Sequence, residues 1–110
     1  MNDGAYLYIL LCADGSYYVG TARITLELRV AQHNAGLFGG YTARRRPVEL
    51  IFSQHFESIS DAVAAERQVK GWTRAKKEAL VRGDWERLRL LARRGRPHPS
   101  RRAALPRSSG

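Results

Sequence analysis

The sequence predicts an α+β fold, a three-stranded antiparallel sheet flanked by helices, on three observations. Two short apolar segments, residues 5–12 and 16–20, are joined by Ala13, Asp14 and Gly15 and read as a hairpin. A further strand-like run, VELIFSQHF, follows Pro47. The remaining stretches have helical periodicity and open on Ser, Thr or Asp residues that can cap them.

The hairpin admits two registers. A two-residue Asp-Gly turn would pair Tyr18 with Leu11 and point it away from Tyr8. A three-residue loop, Ala13 to Gly15 with Gly15 left-handed, pairs Tyr18 with Leu10 and puts it on the face of Tyr8. We take the second. Gly20 then lies opposite Tyr8, where its missing side chain leaves space for a substrate, while Tyr6 and Tyr17 pack the sheet.

Thr25 caps a helix over about 25–36, whose stripe is Leu26, Val30, His33 and Leu37. Gly39, Gly40 and the cluster Arg44, Arg45 and Arg46 form a loop that Pro47 stops, before the third strand. Ser58 or Ser60 opens a long helix carrying Ala62, Ala65, Glu66, Val69 and Trp72. Thr73 starts another that ends at Gly83, and Asp84 caps a last one through Trp85, Leu88 and Leu91.

A chain of 110 residues has room for one core, so we expect one domain over residues 1–92 and an Arg-rich flexible tail over 93–110. The longest apolar run, Tyr6 to Cys12, is far shorter than the roughly 20 residues of a membrane span. No basic flank and cleavage site mark it as a signal peptide, which predicts a cytoplasmic protein. The lone Cys12 has no second cysteine for a disulfide or a metal knuckle, so packing is its expected role.

Charge is uneven along the chain. Residues 1–86 hold 11 Lys plus Arg against 10 Asp plus Glu, whereas no acid follows Glu86 and eight arginines do. The tail therefore makes the protein basic. Such an arm favours polyanions, with a salt dependence of about 0.9 per phosphate contact on duplex DNA. A solubilising tail is the competing explanation.

Two positions break the helical patterns. Glu66 shares a stripe with Ala62, Ala65 and Val69, and an ionised carboxylate on an apolar face needs a partner. A metal, a core salt bridge to an arginine, or a helix rotated to leave Glu66 at the boundary would each resolve this. Arg29 and His33, four residues apart, share a helix face and together can clamp a phosphate oxygen. A hydrogen-bonded core histidine is the simpler account of His33.

LYILLCADGSYYVGTA resembles the paired strands that name the GIY-YIG nucleases, with Tyr8-Ile9 in the first element and Tyr18-Val19-Gly20 in the second. The resemblance continues through LELRVAQHNAG, GGYTARRRPVELIFS and AAERQVKGWTRAKKEAL, over roughly residues 5–82, and is to the short, stand-alone bacterial type. It implies a metal-dependent endonuclease that hydrolyses nucleic-acid phosphodiesters, in DNA processing or repair. The alternative is a catalytically weak or inactive nucleic-acid-binding module. In this resemblance Glu66 corresponds to the carboxylate that binds one Mg2+ (or Mn2+), Arg29 to the arginine on the scissile phosphate, and His33 to a residue near the nucleophile. Tyr8 and Tyr18 correspond to the signature tyrosines, one of which takes the proton of the attacking water. A free tyrosine has a pKa of about 10, so either would need the metal and Arg29 to stabilise its phenolate. The expected partner is nucleic acid, DNA ahead of RNA, met by Arg44, Arg45, Arg46, Lys70, Arg93 and Arg94. A homodimer would give so small a domain a second contact surface.

Overall fold

A computed structural model describes residues 4–94, with side chains through Ala92. The described residues form two compact units that part after Trp72. The first holds β1 (Ala5–Leu11), β2 (Tyr17–Ala22), α1 (Leu26–Asn34), α2 (Gly40–Ala43), β3 (Glu49–Phe56) and α3 (Ile59–Lys70). The second holds α4 (Arg74–Arg82) and α5 (Trp85–Arg94).

The sheet is antiparallel in the order β2-β1-β3, so β1 is central. Its residues Leu7, Tyr8, Ile9 and Leu10 are all buried, as expected of a strand covered on both faces. The hairpin has the three-residue loop. Gly15 takes φ 86°, its N–H donates to the Cys12 carbonyl at 2.9 Å, and the Cys12 N–H donates to Ser16 at 2.8 Å. That geometry pairs Leu10 with Tyr18 and Tyr8 with Gly20. On the other side of β1, Ile9 faces Phe52 and Leu10 faces Leu50, which leaves Ile51 as the extra residue of a bulge.

Four helices begin where their capping residues stand. Thr25, Ser58 and Thr73 accept from the backbone N–H three residues on, and Asp84 accepts from the Arg87 N–H at 3.2 Å. Tyr8 and Leu10 of β1 and Cys12 just after it form a core with Ala22 and Val48, against which Leu26 and Val30 of α1 pack. Cys12 is a free buried thiol.

The structure departs from the sequence reading in two places here. Leu37 does not continue the α1 stripe and is 69% exposed, because the helix ends at Asn34 and Gly36 turns the chain at φ 78°. The glycine-rich loop contains a helical turn, α2, entered through Gly39 at φ 52°. In the second unit α5 carries the backbone through Arg94, two residues past the expected end of the domain at residue 92. The rest of that tail, and the side chains of Arg93 and Arg94 proposed to meet nucleic acid, lie outside the described residues.

Candidate active site

Four of the five candidate catalytic residues meet on one side of the hairpin. Tyr8 and Tyr18 come from β1 and β2, and their ring centres are 6.3 Å apart. Arg29 and His33 come from one face of α1, which packs on the same part of the sheet. The His33 ring lies 5.9 Å from Tyr8 and 5.1 Å from Tyr18. The three-residue loop makes this meeting possible, since a one-residue slip would turn Tyr18 to the opposite face.

A buried hydrogen-bonded chain runs through the site. The Tyr8 hydroxyl lies 2.9 Å from His33 Nε2, and His33 Nδ1 lies 2.9 Å from Thr42 Oγ1. All three residues are at most 2% exposed. Burial pushes the Tyr8 phenol up to about 12, against the opposing pull of the Arg29 guanidinium. Burial, and then the Arg29 charge, hold the His33 imidazole below its ordinary range. Both groups are therefore neutral near pH 7. Thr42 was not among the residues the sequence singled out. Its partner is nine positions away across a glycine-rich link, and no local pattern connects them.

Gly20 has a different role from the one expected. A Cβ there would stand 2.7 Å from the Tyr8 hydroxyl oxygen, 2.8 Å from its Cζ and 3.1 Å from a ring carbon of Tyr18. The space opposite Tyr8 is filled by the Tyr8 phenol itself, so this glycine seats a tyrosine rather than a substrate.

Arg29 donates from Nη1 to the Thr21 carbonyl at 3.1 Å. Its Nε is buried with no acceptor among the described residues. A buried guanidinium N–H without a partner suits an incoming oxyanion. Glu66 reaches the site from α3. Its carboxylate, 16% exposed, lies 2.6 Å from the Lys70 ammonium one turn on, and its charge is felt at Tyr8. The partner of this acid is thus a lysine on its own helix rather than an arginine in the core. That contact raises the Lys70 pKa.

The arginine cluster is also partly engaged. Arg45 donates through Nε to Asp14 at 2.9 Å and through Nη1 to the Tyr41 carbonyl at 2.9 Å. Arg46 donates to the carbonyls of Ala43 at 2.8 Å and Asn34 at 3.3 Å. These two arginines organise the link between α1 and β3, and Arg44 is exposed beside them. Asn34 closes that link. Its side-chain oxygen accepts from the Val48 N–H at 2.7 Å while its amide donates to the Val48 carbonyl at 3.1 Å.

A divalent cation can be tested against these residues. Among the described residues no group of three or more His, Cys, Asp or Glu side chains could hold one. Glu66 offers a single hard carboxylate, the donor type that suits magnesium, an ion that retains waters and takes few protein ligands. The donor set therefore fits one Mg2+ whose remaining positions are filled by water and phosphate, provided that Lys70 yields its place.

Residues 4–79 match the family model of the GIY-YIG catalytic domain. A UPF0213 protein from Natronomonas pharaonis is 46% identical over 76 residues, which cover 69% of this chain and 88% of that protein. A UPF0213 protein from Lacticaseibacillus paracasei is 47% identical over 76 residues, covering 69% of this chain and 84% of its own. A protein from E. faecalis solved by NMR in solution shares 40% identity and a TM-score of 0.51, over 76% of this chain and 90% of that one.

Proposed function

The chain belongs to the GIY-YIG family, and we propose that it is a metal-dependent endonuclease that hydrolyses nucleic-acid phosphodiester bonds, DNA ahead of RNA, in DNA processing or repair in the cytoplasm. The observation that carries this reading is the meeting of Tyr8, Tyr18, Arg29 and His33 on one side of the hairpin, with the Glu66 charge felt there.

Exposure divides the work between the two tyrosines. Tyr8 is 1% exposed and stays protonated, so it serves as a fixed partner of His33. Tyr18 is only partly buried and is the phenol oxygen that a water on the phosphate can reach. As the phenolate it receives the proton of that water while the water oxygen bonds to phosphorus and the bond from phosphorus to the leaving oxygen breaks. Arg29, whose Nε–H has no acceptor among the described residues, donates to a phosphate oxygen and offsets the charge that grows in the transition state. Glu66 would hold the magnesium ion, which when bound supplies charge stabilisation at the leaving oxygen.

Cleavage of labelled single-stranded, duplex and branched DNA and of RNA, with and without magnesium, tests the proposal. The native chain should cut only with magnesium, and Glu66→Ala should bind the same substrates without cutting them. The Lys70 ammonium on Glu66 favours one alternative, a nucleic-acid-binding relative without turnover. Salt-sensitive binding with no cutting under any of these conditions would select it.

A further inference from the structure

The link between α1 and α2, together with α2 itself, sets three large apolar side chains in water beside the site. Leu37 is 69% exposed, Phe38 46% and Tyr41 41%, within the run GLFGGY. Gly36, Gly39 and Gly40 all take positive φ, so the backbone follows a path that few other residues adopt readily. Exposed aromatic area grouped in this way points to a ligand.

Each ring is continuous with the site and carries a cation. The Phe38 ring centre lies 4.5 Å from that of His33, with the Arg29 guanidinium 5.1 Å away. The Tyr41 ring centre lies 6.2 Å from that of Tyr18, with the Arg45 guanidinium 3.8 Å away. Arg45 is held there by Asp14 of the hairpin loop, which also accepts from the Ser16 N–H and hydroxyl. An occupant must therefore offer a flat apolar face and a nearby negative charge together. A nucleotide does so, with base and phosphate a few ångströms apart.

From this juxtaposition, and resting on the reading of the site as one that acts on nucleic acid, we propose that Phe38 and Tyr41 form a stacking subsite for an unpaired nucleobase next to the scissile phosphate. Base faces inside a duplex are covered by their neighbours, whereas an unpaired base has a face to give to an aromatic ring. The subsite selects single-stranded or locally opened substrates, and does so without reading sequence, because every base has a π face.

The test is equilibrium binding of the full chain, by fluorescence anisotropy in magnesium-free buffer, to three labelled oligonucleotides of one length: a thymidine single strand, its abasic counterpart and a duplex. The native chain should prefer the base-bearing strand to the abasic one by about 5- to 150-fold, the range that stacking on one aromatic ring gives. Phe38→Ala with Tyr41→Ala should erase that preference and leave duplex affinity unchanged. Phe38→Trp, which keeps a ring, should retain it and guards against a variant that simply misfolds. Equal binding of base-bearing and abasic strands by the native chain overturns the proposal. So does a concentration-dependent dimer that Phe38→Ala dissolves, since the rings would then be a protein interface. Magnesium-dependent cutting that survives alongside either result leaves the nuclease reading standing, so the two failures are distinguishable.

Discussion

The chain of Tyr8, His33 and Thr42 is polar and dry, whereas the link carrying Leu37, Phe38 and Tyr41 is apolar and wet. Each reverses the usual distribution of side chains. In the dry part, every polar atom of the chain has its partner at 2.9 Å, so burial fixes orientation without leaving a charge inside. In the wet part, apolar area is left uncovered next to guanidinium groups that hold it in place. The contrast separates two duties of a site. Groups that must keep one geometry are sealed, and groups that must meet a ligand are not.

Substitution at Gly20 should break the dry part most severely. Gly20→Ala puts a methyl against a Tyr8 phenol that is buried and tied to His33, so neither neighbour can give way cheaply. We expect a loss of about 1–3 kcal/mol in stability by chemical denaturation, with turnover down by about 100-fold through displacement of the tyrosines. Next in size are Thr42→Val and Tyr8→Phe, each of which strands a buried ring nitrogen of His33 and should cost about 1–3 kcal/mol. Thr42→Ser, which restores the hydroxyl, should recover most of the loss. If Thr42→Val is as stable as the native chain, the buried network does not order the site.

The dry part also predicts a pH response. His33 is held below its unfolded value of about 6.5, so on acidification the unfolded chain takes up a proton before the folded one does. Stability should therefore fall as pH drops below about 6.5. The phenol of Tyr8 is raised, so the unfolded chain loses its proton first and stability should fall again as pH rises from about 10 toward about 12. Melting temperature across this range should show both slopes, and His33→Gln should remove the acid one. The smallest effect belongs to the wet part. Leu37→Ser should change stability by less than about 0.5 kcal/mol, because the side chain is mostly in water already.

The same division decides what the sequence could reveal. The hairpin register was legible because Ala13, Asp14 and Gly15 allow few loops, and one of them needs a left-handed residue at Gly15. The helix starts were legible at Thr25, Thr73 and Asp84, and to within Ser58 or Ser60 for α3, because a cap acts within one turn of itself. α2 was not, since two glycines at its entry argue against a helix and tertiary contacts override them. Tyr8, Tyr18, Arg29 and His33 could be named from their pattern. Thr42, the engagement of Arg45 with Asp14, and the filling of the Gly20 space could not, since each depends on residues brought together only by the fold.

One side chain ties the link at both ends. By exchanging two hydrogen bonds with Val48, Asn34 joins the last turn of α1 to the residue before β3, so residues 35–47 leave and re-enter the unit at nearly one place. Loop closure of this kind depends only weakly on loop length. The segment is thus a replaceable cassette. Its tip, residues 37–41, can drift, lengthen or be exchanged while Asn34 and Thr42 are kept, which lets one scaffold acquire new preferences without learning to fold again.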